Sequence, residues 1–126
     1  MQTDPAEIEL PRDRSCGVRA RRWIERQAGP EIARETLDDL KLVATELVDN
    51  AYLHGRGRIV LKLLRTTDAF RVEVIDEGED AVIEISRAPA QTGGRGLRLV
   101  DALAASWGAY EGTTHVWAEV PDASGG

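Results

Sequence analysis

The sequence has a single cysteine, Cys16, and no long apolar run. One cysteine cannot form an intramolecular disulfide bond, and it argues against a metal site built on cysteine. No apolar run approaches the length of a membrane span, and the N-terminus lacks the pattern of a signal peptide. The sequence therefore predicts a cytoplasmic protein without a membrane partner.

Positive charge is also scarce, because 16 Lys and Arg face 22 Asp and Glu, for a net charge of −6. A surface that binds nucleic acid must neutralise phosphates, so this deficit argues against direct contact with nucleic acid. The chain has one local cluster of arginines, which we interpret as a solvated helix face: Arg19, Arg21, Arg22 and Arg26.

Length and composition indicate one globular domain. The 126 residues are 42% apolar and 30% charged, which suffices for one domain with a core but not for two ordinary ones. No internal repeat or linker is visible, and both ends are polar. We expect a single domain over residues 1–126 with an ordered core from about residue 5 to about residue 121.

Periodicity and turn signals predict a strand and two helices in the N-terminal half, at residues 7–10, 16–28 and 36–54. Gly29-Pro30 should end the first helix, and Gly55 should end the second. Thr36 with Asp39 three residues later resembles a capping box, so we expect the second helix to begin near Thr36.

The C-terminal half is predicted to contain four further elements and a long loop, with strands at 58–64, 70–76 and 114–120, a helix at 96–107 and the loop at 77–96. The order is roughly strand, helix, helix, strand, strand, loop, helix and strands. It predicts a two-layer α/β sandwich with helices on one face of a mixed, mostly antiparallel sheet.

A polar stripe runs along the second predicted helix, where Glu46, Asn50 and His54 recur every four residues in ELVDNAYLHG. At about 100° per residue they lie beside the apolar stripe of the helix and should be partly buried. That apolar stripe consists of Leu40, Val43, Ala44, Leu47 and Ala51, and the residues expected to face water are Lys41, Thr45, Asp49 and Tyr52. Amphipathic helices often carry polar residues at such a boundary, so the helix alone leaves a structural and a functional interpretation open.

Asp76 ends a predicted strand on the same side as Phe70, Val72 and Val74. A semi-buried carboxylate at this place needs a hydrogen-bond donor. Two interpretations stay open: a carboxylate that caps the turn before Gly78, and an acceptor for an amine of a ligand.

Glycines precede the last predicted helix in GGRGLRLV, residues 93–100. A glycine-rich helix start leaves backbone N–H groups accessible to an anion. The segment lacks the Gly-Lys-Ser/Thr ending of a Walker A loop, and it does not match the Rossmann glycine pattern.

Taken in order, these pieces resemble the three boxes of the Bergerat-fold (GHKL) ATPases. Residues 46–51 match the N box E-x-x-x-N-A, residues 76–78 match the G1 box D-x-G, and residues 94–97 match the G2 box G-x-G-L. Over residues 16–120 the chain is most similar to the RsbW-like anti-sigma-factor serine/threonine kinases, in particular to their small actinobacterial members.

The resemblance implies a role for each matching residue, with ATP and Mg²⁺ as ligands. Asn50 would coordinate the Mg²⁺ that bridges the phosphates, and Glu46 would be the general base. Asp76 would accept a hydrogen bond from the adenine amino group. The remaining candidates for contacts with the nucleotide are Gly78, Gly94, Gly96 and Leu97 in the boxes and Arg87 and Arg95 at the phosphates, and residues 79–93 would form the ATP lid.

The implied activity is transfer of the ATP γ-phosphate to a serine of a STAS-type anti-sigma-factor antagonist, by a protein that also acts as an anti-sigma factor. The resemblance leaves a sigma factor as direct partner and a homodimer open. Asp80 replaces the second glycine of the usual G1 box, and a lysine frequent in relatives near Thr114 is absent. These departures favour the alternative, a nucleotide-dependent protein-binding regulator with little or no kinase activity.

Overall fold

The computed structural model describes residues 5–29, 32–78, 97–109 and 115–122. Within these residues the elements follow in the order β1 (Ala6–Leu10), α1 (Cys16–Ala28), α2 (Arg34–His54), β2 (Ile59–Arg65), β3 (Ala69–Ile75), α3 (Leu97–Leu103), β4 (Ser106–Ala109) and β5 (His115–Pro121). None of the helices in the described part of the chain is long and apolar enough to cross a membrane.

The strands form one five-stranded sheet in the order β1-β2-β3-β5-β4. Each of its pairings is antiparallel, and Val72 of β3 lies between Leu63 of β2 and Ala118 of β5. Strand β2 turns into β3 through Thr66, whose backbone N–H donates to the carbonyl of Ala69 at 2.8 Å. Because the helices pack on one face of this sheet, the predicted two-layer α/β sandwich is confirmed.

The core lies between α2 and the sheet. The predicted apolar stripe of α2 is buried along its whole length, from Leu40 at 0% exposed to Ala51 at 5%. Alternate residues of the strands meet it, among them Leu61, Val72, Val74, Val116, Ala118 and Val120. Burial of an aliphatic side chain contributes about 1.5–3 kcal/mol, so α2 is a main source of stability.

Helix α1 packs closely against a flank of α2 that we expected to face water. A Cβ on Gly17 would lie 2.9 Å from Oδ1 of Asp49 and 3.4 Å from Cγ2 of Thr45. Thr45 is accordingly buried and Asp49 is half-buried, which corrects the expected exposure of both. The helical wheel describes α2 by itself and contains no information about a second helix on this flank.

The start of α2 differs from the prediction. The helix begins at Arg34 with Ala33 as its N-cap, and no side chain caps it. Thr36 lies inside the helix and is 1% exposed, so the predicted capping box is wrong. The side chain of Thr36 is buried in the core. It therefore does not lie at the start of the helix, where a capping side chain accepts hydrogen bonds from free backbone N–H groups.

The last predicted helix, 96–107, is too long. Helix α3 ends at Leu103, and β4 occupies Ser106–Ala109. The change is caused by pairing with β5, since Trp107 lies opposite Ala118 and the N–H of Ala105 donates to the carbonyl of Glu119 at 2.8 Å. A sheet partner distant in the sequence overrides the helical pattern.

Substitution of Leu40 by alanine tests the position of the core. Leu40 is 0% exposed, so its truncation should lower the free energy of unfolding by about 2–5 kcal/mol. Leu42 of the same helix is 42% exposed, and Leu42→Ala is the matched control, with an expected change of about 0.5 kcal/mol or less. Urea unfolding measures both, and equal losses would contradict the assigned face of α2.

Candidate functional site

Asp76 lies directly after β3 and is buried, with 5% of its surface exposed. It continues the core side of the strand, as the alternation predicts. Its Oδ1 accepts a hydrogen bond from the backbone N–H of Gly78 at 2.7 Å. The carboxylate is thereby held in a defined orientation at the end of the strand.

Two glycines form a cradle around this carboxylate. A Cβ on Gly55, the C-cap of α2, would lie 2.1 Å from Oδ2 of Asp76 and 2.4 Å from its Cγ. A Cβ on Gly78 would lie 3.1 Å from Oδ1 of Asp76 and 3.0 Å from the backbone nitrogen of Arg56. The cradle therefore brings the C-terminal end of α2 directly against Asp76.

The turn after α2 is joined to the segment that follows Asp76. The backbone N–H of Glu77 donates to the carbonyl of Arg56 at 2.8 Å, and Nε of Arg58 donates to Oε2 of Glu77 at 3.0 Å. Gly57 has a φ of +69°, and a Cβ there would meet Oε1 of Glu77 at 2.2 Å. The hydrogen bond from Arg58 lowers the pKa of Glu77, so the acidic residue inside the G1 box is paired with a cation.

Glu46 and Asn50 lie one helical turn apart on α2, and both are half-buried as expected. Burial raises the pKa of Glu46 above its ordinary value, and the charge of Asp49 raises it further. A carboxylate with a raised pKa is a better proton acceptor at neutral pH. His54 is the last residue of α2 and is exposed, so the expected partial burial is wrong for this third member of the stripe.

The distances along α2 suit an elongated ligand. Asn50 and Glu46 precede Gly55 by five and nine residues, which places them roughly 7 Å and 13 Å along the helix axis from the cradle. One end of the site thus holds the buried acceptor Asp76. The other end holds the Glu46 carboxylate, whose pKa is raised, beside the neutral amide of Asn50.

The structure brings four of the predicted site residues to α2 and the end of β3: Glu46, Asn50, Asp76 and Gly78. Leu97 begins α3, which packs on α2. The other predicted contacts lie outside the described residues, namely Arg87, Gly94, Arg95, Gly96 and the lid at 79–93.

Asn50 is the residue of the site that could contribute a ligand to Mg²⁺. In the described ranges no group of three or more His, Cys, Asp or Glu could hold a metal ion. Mg²⁺ is commonly held by one or two protein oxygens together with substrate phosphates, and the half-buried amide of Asn50 can supply one such oxygen.

Two residues beside the site make contacts that the sequence does not predict. The sequence pattern at Gly55 indicates only a helix stop and does not predict its contact with Asp76. Arg12 precedes α1 and donates to the carbonyls of Ala51, Tyr52 and Gly57, which are 39 to 45 residues away in the sequence. No local pattern indicates contacts of this separation.

A sandwich of this topology, with a buried aspartate in a glycine cradle and a Glu-Asn pair on the adjoining helix, has the features of an ATP-binding domain of GHKL type. The sequence model of the histidine kinase-like ATPase domain matches residues 13–119, and the chain therefore belongs to this family. A comparison with curated proteins gives no significant match. Membership in the family makes the protein an ATP-binding regulatory protein of GHKL type.

Substitution of Gly55 by alanine tests the cradle. The added Cβ would overlap the Asp76 carboxylate, so the variant should lose about 1–3 kcal/mol of unfolding free energy and most of its ATP affinity. Gly29→Ala is the matched control, because Gly29 also caps a helix and its Cβ would meet other side chains only at 3.5 Å and 3.7 Å. Calorimetric titration and urea unfolding give both quantities, and an unchanged Gly55→Ala variant would contradict the contact.

The raised pKa of Glu46 predicts a pH-dependent gain in stability for Glu46→Gln. Protonated Glu46 stabilises the folded protein relative to the unfolded chain. This contribution is complete below the ordinary pKa of 4.5 and is lost as the pH rises through the raised pKa of the folded protein. At pH 7 the glutamine variant should therefore be more stable than the wild type, and the difference should disappear toward acidic pH.

The substitution Glu25→Gln is a control that should change stability in the opposite direction. The pKa of Glu25 is lowered by a hydrogen bond from Lys41, so its stabilising effect is present at neutral pH and is lost in acid. Glu25→Gln should be slightly less stable than the wild type at pH 7. Urea midpoints measured from pH 3 to pH 8 compare the two variants, and opposite slopes are expected.

Proposed function

We propose that the protein is a cytoplasmic anti-sigma factor with serine/threonine kinase activity, which transfers the γ-phosphate of ATP to a serine of a STAS-type antagonist. The observation that carries the proposal is Glu46, a half-buried carboxylate with a raised pKa, one turn from Asn50 on the helix that ends at the Asp76 cradle. The resemblance of the three boxes to anti-sigma-factor kinases supports the choice of partner.

The buried end of the site recognises the base in this proposal. Asp76 accepts a hydrogen bond from the adenine amino group, while its Oδ1 is already oriented by the N–H of Gly78. Because Gly55 and Gly78 lack side chains, the backbone on both sides can approach the carboxylate closely and help to hold its orientation.

The other end of the site performs the transfer. Glu46 accepts the proton of the serine hydroxyl while the serine oxygen bonds to the γ-phosphorus, and the bond from that phosphorus to the oxygen of the leaving ADP breaks. Asn50 would hold Mg²⁺, which neutralises phosphate charge when it is bound. A base of this kind typically contributes about 10²–10⁴-fold to the rate.

The alternative function is a nucleotide-dependent regulator that binds proteins and transfers little or no phosphate. The sequence around the lid supports it, because Asp80 stands at the second glycine of the G1 box and Glu79 adds a further negative charge beside it. Negative charge close to the polyphosphate weakens nucleotide binding unless a cation compensates it.

The substitution Glu46→Gln separates these functions. The near-isosteric amide cannot accept the proton, so phosphorylation of the antagonist should fall about 10²–10⁴-fold while Mg-ATP affinity changes little. Labelled ATP with a STAS-type protein measures the transfer, and calorimetry measures the binding. Asp76→Asn is the matched control, which should lose ATP affinity because an amide can present a donor to the adenine amine.

Each outcome of this experiment is decisive. Transfer by the wild type that is lost in Glu46→Gln supports the kinase. ATP binding by the wild type without transfer to any antagonist supports the nucleotide-dependent regulator. Loss of ATP binding in Glu46→Gln would show that Glu46 holds the site together, and the assigned division of labour along α2 would then be wrong.

A further inference from the structure

Arg12 lies in the loop between β1 and α1, and its guanidinium reaches the C-terminal end of α2. Its Nη1 donates to the carbonyls of Ala51 and Tyr52 at 3.0 Å and 2.8 Å. Its Nε donates to the carbonyl of Gly57 at 2.8 Å. One side chain thus binds the last turn of α2 and the turn that follows it.

These acceptors are close in the sequence to Asn50 and to the Asp76 cradle. Ala51 and Tyr52 come directly after Asn50, and Gly57 comes two residues after the Gly55 that contacts Asp76. The carbonyl of Ala51 also accepts the N–H of Gly55 at 2.8 Å, and the carbonyls at the end of a helix favour a cation nearby. The planar fork of a guanidinium can hold several such carbonyls in fixed relative positions, whereas an ammonium acts as a point charge.

One donor of Arg12 is not used by the described part of the chain. Its Nη2 is buried and has no hydrogen-bond partner there. An unpaired buried donor costs free energy, so the three hydrogen bonds from Arg12 to the end of α2 and its following turn are made against this cost.

We propose that Arg12 is a positioning residue of the nucleotide site, which sets the spacing between Asn50 and Asp76. Through Gly57 it holds the turn that is joined to Glu77 by the hydrogen bond from the N–H of Glu77 to Arg56. Through Ala51 and Tyr52 it holds the helical turn that starts after Asn50. The proposal rests on the nucleotide binding in the proposed function and does not depend on kinase activity.

Arg12→Gln and Arg12→Lys test this role, with ATP and ADP as the probes. The glutamine variant cannot bridge the three carbonyls. Loss of an outer-shell group at a metal site typically costs about 10- to 100-fold in affinity, and by analogy we expect the ADP dissociation constant to rise about tenfold or more. The lysine variant keeps the charge without the fork, and it should restore little of the affinity.

Two control variants separate positioning from stability. Arg14→Gln removes a charge from the same loop at an exposed residue that makes no hydrogen bond or ion pair within the described ranges, and it should leave the affinity unchanged. Val120→Ala creates a cavity at the opposite end of β3, where Val120 faces Phe70. It should lower stability and leave the affinity of the folded protein unchanged.

Calorimetric titrations and urea unfolding of all variants decide between the outcomes. Weakened nucleotide binding in folded Arg12→Gln, with Val120→Ala unchanged, supports the positioning role. An Arg12→Gln variant that only loses stability, as Val120→Ala does, overturns it. If Arg12→Gln does not fold, Arg12→Lys decides by the same two measurements. A wild type that binds neither ATP nor ADP overturns the proposed function itself, and the role of Arg12 with it.

Discussion

The structure depends on the close approach between the end of α2 and the buried carboxylate of Asp76. Only a glycine lets the backbone at position 55 come this close, because a Cβ would lie 2.1 Å from Oδ2 of Asp76. This contact joins the helical layer to the sheet at one end of the molecule. The position of Asn50 and Glu46 relative to β3 follows from it, since both lie on the same rigid helix.

Negative charge is concentrated on the elements that build the site, and this has a thermodynamic cost. Asp76 is buried, and burial raises the pKa values of both Glu46 and Asp49. A protein selected for stability alone would carry neutral residues at such positions. For Asp76 and Glu46 the arrangement is understandable if they act on a ligand, because functional sites commonly retain groups that lower stability.

Much of the fold could be predicted from local patterns. The apolar stripe of α2 and the alternation in β3 identified the core and placed Asp76 on its buried side. The sequence motifs predict Glu46, Asn50 and Gly78 as site residues, and the structure places them on α2 and directly after β3. Predictions failed where a distant segment decides the outcome: α1 covers Asp49, β5 converts residues 106–109 into a strand, and Arg12 reaches across to the end of α2.

The contact between Gly17 and Asp49 has a consequence for how the sequence can vary. The two residues share one small volume between α1 and α2, where a Cβ on Gly17 would lie 2.9 Å from Oδ1 of Asp49. A side chain at position 17 would therefore push the Asp49 carboxylate aside. Because Asp49 also contributes to the raised pKa of Glu46, the bulk allowed on a surface helix is linked to the proton affinity of the candidate base.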